Sequence, residues 1–151
     1  MIKQIADKKE KTAIARSILE ALPEWFEVEQ GREELIAGSA DQIFFAAFDG
    51  EKCVGFLTLK ETGKDTVELA VTGVLKEYHR KGLGRQLFEL AKQTAANEGY
   101  SFLQVKTVKM GVWESYDKTN LFYKSLGFKE FEVIESIWDE ANPCQIYVMS
   151  L

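Results

Sequence analysis

The sequence predicts an α/β (α+β) fold in which helices pack on a mixed sheet. Three observations lead there. Segments with two-residue alternation outnumber those with helical periodicity, most connections between them are short, and Asp49-Gly50 joins two apolar runs as a hairpin turn. With 151 residues and neither an internal repeat nor a Pro/Gly/Ser linker, one domain over 1–151 is expected.

The first third reads mostly as helix. Ile14, Ile18, Leu19 and Leu22 share one helical face, and Pro23 stops or redirects that helix. An acidic helical stretch follows around Gln30–Ala37. Strands are expected at Gln42–Phe48 and Cys53–Lys60; both alternating sets of the first are apolar, so both its faces should be covered. After a turn at Glu61–Asp65, the strand Thr66–Val74 puts Val67, Leu69 and Val71 on one face and Glu68, Ala70 and Thr72 on the other. A helix opens near Leu83 and ends near Gly99. Phe102–Val108 is a strand, and Thr119, Phe122, Tyr123 and Leu126 mark a helix closed by Gly127. Lys129–Ile137 and Gln145–Leu151 close the chain as an expected antiparallel pair.

Composition excludes several classes. Hydrophobic residues make up 46% and charged residues 28%, values of a folded globular chain rather than a disordered one. The net charge of −5 argues against a general nucleic-acid binder, which needs a broad basic face. No run approaches the roughly 20 apolar residues that span a bilayer, and charges interrupt the N-terminus where a signal peptide would be apolar. A cytoplasmic protein without membrane contact is expected. Cys53 and Cys144 have no metal-ligand spacing, so no metal site is expected and both read as reduced, apolar-like side chains.

The most informative segment is His79-Arg80-Lys81-Gly82-Leu83-Gly84-Arg85, between a strand and an amphipathic helix. Two glycines at a helix N-terminus let a ligand approach unpaired backbone N–H groups, and the helix dipole favours an anion there. Arg80, Lys81 and Arg85 concentrate positive charge at that point in an acidic chain. A Walker loop would need Lys-Ser/Thr after its second glycine, and a Rossmann loop a glycine where Leu87 stands. Taken alone, the loop also reads as a tight turn with solvated basic residues.

With this loop in place, the chain resembles the GNAT superfamily of acyl-CoA-dependent N-acetyltransferases. The family's Gln/Arg-x-x-Gly-x-Gly/Ala loop is matched by His79-Arg80-Lys81-Gly82-Leu83-Gly84, with His79 departing from the pattern. Downstream, Phe122-Tyr123-Lys124-Ser125-Leu126-Gly127-Phe128 is similar to the family's FYxxxGF segment. Tyr116 and Thr119 stand where many members have Asn and a small residue, so no cofactor contact is carried over there. The resemblance implies a mostly antiparallel sheet of six to seven strands, splayed between the fourth and fifth, with about four flanking helices. It also implies acetyl-CoA as co-substrate. Backbone groups of Val74 and Leu75 would then pair with the pantetheine amides, and residues 80–85, including Leu83, would hold the pyrophosphate.

The implied reaction is transfer of acetyl to a primary amine by direct attack in a ternary complex. An aliphatic amine with a pKa near 10.4 is neutral in about one molecule in a few thousand at neutral pH, so a base is useful. Glu68 is the candidate: it lies fourteen positions before Gly82, a spacing similar to the general base of several members, and Ala70 and Thr72 beside it are small. Its alternative is the plain polar face of a strand. Tyr123, by resemblance, would protonate the departing CoA thiolate; on periodicity alone it is a packed helix-face tyrosine. For a His79–Cys144 nucleophile pair nothing speaks beyond residue type.

Glu20, Glu24, Glu27, Glu29, Glu33 and Glu34 crowd residues 20–34, which would favour a small cationic amine if they face the acceptor, and otherwise form a solvated helix face. Trp25, Phe26 and Trp113 would line the acceptor site or pack on the core. A non-catalytic CoA-binding module and a protein lysine or N-terminal acetyltransferase remain as alternatives, and a homodimer is compatible with all three.

Overall fold

The structure is a computed structural model that describes residues 1–26 and 28–151. Seven strands form one mixed sheet in the order β1-β2-β3-β4-β5-β7-β6. The chain falls into two compact units: Met1–Lys60 with Leu69–Thr94, and Glu61–Glu68 with Ala95–Leu151.

In the first unit, β1 (Ile2–Ile5) pairs antiparallel with β2 (Ile43–Asp49), Ile2 against Ala47 and Ile5 against Phe44. This strand does not appear in the sequence reading, because it is four residues long and only Ile5 is buried. Helix α1 (Lys8–Glu20) starts where the Asp7 carboxylate accepts the Glu10 N–H at 2.8 Å, an N-cap. Its buried face is Ile14, Ala15, Ile18 and Leu19. Pro23 opens a short helix, α2 (Pro23–Phe26), where its missing N–H costs nothing; α3 (Glu29–Ser39) follows. The Asp49-Gly50 turn connects β2 to β3 (Lys52–Gly63), with Gly50 at φ 61°. As expected for a strand covered on both faces, Phe44, Phe45, Ala46 and Ala47 are all buried. Because β3 runs to Gly63, the expected turn at 61–65 shrinks.

Strand β4 (Thr66–Val74) matches its expected bounds, with Val67, Leu69 and Val71 buried and Glu68, Ala70 and Thr72 half-buried. A 3-10 turn at Lys76–Tyr78 leads to α4 (Leu83–Asn97).

In the second unit, β5 (Phe102–Val108) pairs in parallel with β4 at Thr66–Phe102, Val67–Leu103 and Glu68–Gln104. On its other side β5 pairs antiparallel with β7 (Cys144–Ser150), from Phe102–Ser150 to Val108–Cys144. Helix α5 (Glu114–Ser125) ends at Gly127, whose φ of 105° is left-handed, a common helix stop. The edge strand β6 (Lys129–Ile134) is shorter than expected and bulged near Phe131. The described residues thus hold five α-helices rather than about four. Both cysteines are free, Cys144 fully buried and Cys53 partly so.

Candidate active site

The Gly-rich loop lies in the first unit. Beyond β4 the chain makes the 3-10 turn, then His79 returns to an extended conformation (φ −64°, ψ 152°). Arg80 at φ 63° and Gly82 at φ 80° are left-handed, and the hydrogen-bond ladder of α4 opens with Gln86 N–H on the Gly82 carbonyl at 3.0 Å. A side chain at residue 82 would be strained by that φ, although its Cβ would meet nothing closer than Gln86 Nε2 at 3.9 Å. The first-turn N–H groups of Leu83, Gly84 and Arg85 precede the ladder. Arg80, Lys81, Gly82 and Arg85 are exposed, and Lys81 Nζ sits 5.2 Å from the centre of the Tyr78 ring.

Val74 and Leu75 already have intramolecular partners. Leu75 N–H donates to the Val54 carbonyl (2.9 Å), and the Leu75 carbonyl accepts from Tyr78 N–H (2.9 Å). His79 Nε2–H donates to the Val74 carbonyl at 2.6 Å, which fixes the imidazole tautomer. Trp25 meets the His79 ring edge-on with centroids 6.1 Å apart. The histidine that departs from the family loop thus ties the loop back to the strand before it. A pantetheine amide would share the second lone pair of that carbonyl or displace the ring.

In the second unit, Glu68 stands at the last parallel pair of β4 with β5. Its side chain is 16% exposed, and its Oε1 accepts a hydrogen bond from Lys106 Nζ at 2.6 Å. Sequence reasoning missed this partner. Lys106 alternates with the buried Val105 and Thr107 on β5, which marks it as off the core face, but only the parallel register brings it to Glu68.

Tyr123 lies on α5 with 8% of its surface exposed, packed against Phe128 (5.9 Å between ring centroids) and Tyr147 (6.3 Å). Burial first, and Tyr116 second, push its hydroxyl pKa well above the ordinary tyrosine range. It therefore keeps its proton through neutral and mildly alkaline pH. One turn before it, fully buried Asn120 donates from Nδ2 to the Val108 carbonyl (2.8 Å) and the Tyr116 carbonyl (2.7 Å). Its Oδ1 accepts from the Tyr147 hydroxyl at 2.6 Å. This network, also missed in the sequence, pins α5 to the end of β5 and to β7.

Among the described glutamates of the acidic segment, Glu20, Glu24 and Glu33 lie in ion pairs. Arg16 holds Glu33 through two hydrogen bonds of 2.8 Å and lies 3.6 Å from Glu20, while Lys76 pairs with Glu24. Glu34 accepts from Gln30, and Glu27 lies outside the described residues. Trp113 is half exposed and donates from Nε1 to Asn142 (2.8 Å). No group of three or more His, Cys, Asp or Glu suited to a metal occurs among the described residues, and no described helix is long and apolar enough to cross a membrane.

Residues 12–128 match the family model described as "Acetyltransferase (GNAT) family". An uncharacterised N-acetyltransferase of Chlorobaculum tepidum is 28% identical over 109 residues, covering 68% of this chain and 61% of that protein. The chain thus matches under two thirds of that relative's length. Among solved structures, a GNAT-family acetyltransferase of Desulfovibrio desulfuricans superposes with a TM-score of 0.83 at 18% identity, covering 99% of this chain and 98% of the other. A GNAT-family acetyltransferase of Elizabethkingia anophelis with acetyl-CoA bound gives 0.76 at 16% identity, covering 100% and 97%. At such identities the likeness shows a common fold.

Proposed function

The chain belongs to the acetyltransferase (GNAT) family, and on that premise we propose that it transfers acetyl from acetyl-CoA to a primary amine. The observation that carries this reading is the loop 79–85, with left-handed Arg80 and Gly82 opening the first turn of α4 inside the family-matched stretch. In this reading that turn binds the diphosphate of acetyl-CoA through main-chain N–H groups, with Arg80, Lys81 and Arg85 adding positive charge. The neutral amine attacks the thioester carbonyl. The N–C bond forms, the C–S bond breaks, the ammonium proton passes to Glu68, the thiolate takes a proton from Tyr123, and solvent carries the proton from Glu68 back to the tyrosinate.

Magnitudes limit each role. Moving a proton from an alkylammonium near 10.4 to an ordinary carboxylate near 4.3 is uphill by about 8 kcal/mol. Glu68 therefore acts as the acceptor while the N–C bond forms and the nitrogen loses basicity, not as a base that strips the free ammonium. A thiolate is already a competent leaving group, so Tyr123 contributes about ten- to a hundredfold.

The proposed acceptor is a small amine with a positive charge. With Glu20, Glu24 and Glu33 engaged by Arg16 and Lys76, that preference rests on the net charge of −5 rather than on a trap of bare carboxylates. A modest, salt-sensitive selectivity follows.

Calorimetric titration with acetyl-CoA, together with thiol release across a panel of amines, tests the proposal. Binding with release on at least one amine is expected. Binding without release on any amine would identify a CoA-binding module, and absence of binding would refute the loop assignment.

A further inference from the structure

Lys106 Nζ lies 2.6 Å from Glu68 Oε1, with the two side chains 30% and 16% exposed. The contact follows from the register. Glu68 pairs in parallel with Gln104, and Lys106, two residues further along β5, presents the same face. On that face Gln104 Nε2 donates to Thr62 at 2.8 Å, while Ile146 and Cys144 of β7 oppose Lys106 and Val108. The Lys106 ammonium on β5 bonds to the Glu68 carboxylate, and the Cys144 thiol on β7 lies near enough to feel both charges. Burial pushes that thiol up, so it carries no charge at neutral pH. Lys106 is thus a counter-charge to Glu68 that is close and partly shielded from water.

We propose that Lys106 is a positioning residue for acetyl transfer: its ammonium holds one oxygen of Glu68, leaves the other to the acceptor amine, and balances the charge a cationic acceptor would otherwise meet. This rests on the reading of Glu68 as proton acceptor. Without the Lys106 hydrogen bond, the Glu68 carboxylate is free to rotate out of the geometry in which it takes the proton. Without Lys106, a cationic acceptor would also be drawn more strongly to an uncompensated negative charge. Removing Lys106 should therefore tighten acceptor binding while slowing turnover, a split that loss of packing does not produce.

The test compares Lys106→Met, Lys106→Arg and Glu68→Gln with the parent chain, measuring melting temperature, acetyl-CoA affinity, and thiol release on a cationic amine across pH. For Lys106→Met the expected result is unchanged acetyl-CoA affinity, an amine KM lower by about threefold to tenfold, and a lower kcat. Lys106→Arg should restore both KM and kcat. Should Lys106→Met lose its folding transition, Lys106→Gln carries the same measurements. A Lys106→Met enzyme with unmoved KM, beside a Glu68→Gln enzyme whose kcat has fallen, overturns the proposal and leaves the base reading intact. A fall in kcat alone that Lys106→Arg does not rescue shows a merely structural lysine and overturns it too. An unchanged kcat in Glu68→Gln removes the base reading and this proposal with it.

Discussion

Replacing Asn120 by Leu, alone and with Tyr147→Phe, should expose how much of the second unit rests on one buried amide. Asn120 has no exposed surface, and its side chain bonds to the Val108 carbonyl, the Tyr116 carbonyl and the Tyr147 hydroxyl. Leucine has nearly the same shape and none of the polar atoms. It leaves the Val108 carbonyl and the Tyr147 hydroxyl unpaired, while the Tyr116 carbonyl keeps the helical bond from the main-chain N–H four residues on. At about 1.5 kcal/mol for each orphaned buried group, Asn120→Leu should cost about 3 kcal/mol. Tyr147→Phe leaves one lone pair of Asn120 unmet and should cost about 1 kcal/mol. In the double variant only the Val108 carbonyl remains unmet, so the cost returns to about 1.5 kcal/mol, a coupling of about 2.5 kcal/mol. Urea unfolding followed by two spectroscopic probes, with coincident transitions as the condition for using the numbers, measures all four corners. Additive costs would refute the network as an energetic unit.

Three further outcomes are expected. Tyr123→Phe should lower kcat by about ten- to a hundredfold without moving the alkaline limb of the pH–rate profile. The sign follows from burial: a hydroxyl whose pKa is raised holds its proton to higher pH, so Tyr123 is not the group that titrates on the alkaline side; full turnover in the variant would remove it from the reaction. Gly82→Ala forces an L side chain to φ 80° and should cost about 1–2 kcal/mol in stability while weakening acetyl-CoA binding; calorimetry showing unchanged affinity would uncouple the turn from the cofactor. Gly73→Ala places a Cβ 2.9 Å from Ile18 Cγ2 and 3.4 Å from Leu22 Cδ1, so about 1–3 kcal/mol of overpacking should appear as a lower urea midpoint. A wild-type midpoint would show that α1 yields freely there.

Local pattern carried far into this fold, and the reasons it stopped are physical. Strands β4 and β5 fall on their expected bounds because alternation over seven to nine residues is strong and turns flank both. Glu68 and Tyr123 were legible as a polar residue on a half-buried strand face and as a motif position. Their partners were not. Lys106 meets Glu68 only through the parallel register of β4 and β5, and Asn120 meets Tyr147 only once α5 is laid against β7, neither of which periodicity encodes. The partners of the acidic run at 20–34 stayed hidden for a related reason: Arg16 and Lys76, which pair with Glu20, Glu24 and Glu33, lie outside that window, and Lys76 is 52 positions from Glu24. Strand β1 escaped because pairing with β2, not its own composition, makes it a strand.

The loop at 75–82 is polar and largely exposed, composition that ordinarily goes with mobility, yet it is tied down along its length. Leu75 N–H is bonded to Val54, Lys76 to Glu24, the Tyr78 hydroxyl to Asp49 at 2.6 Å, and His79 to the Val74 carbonyl, all within the first unit. Exposed ion pairs and hydrogen bonds of this kind stabilise a fold little, by about 1 kcal/mol or less each. Their effect falls on the unbound loop, whose conformations they narrow. Ordering a flexible segment opposes ligand binding, so a turn already held in its binding shape retains more of the interaction energy as affinity. Arg80 in the left-handed region fits the same account: a bulky residue stays at φ 63° only where its surroundings hold it there. In the proposed function the anion-binding turn is thus held in shape by the contacts of Lys76, Tyr78 and His79, and His79 ties the turn down where the family has Gln or Arg.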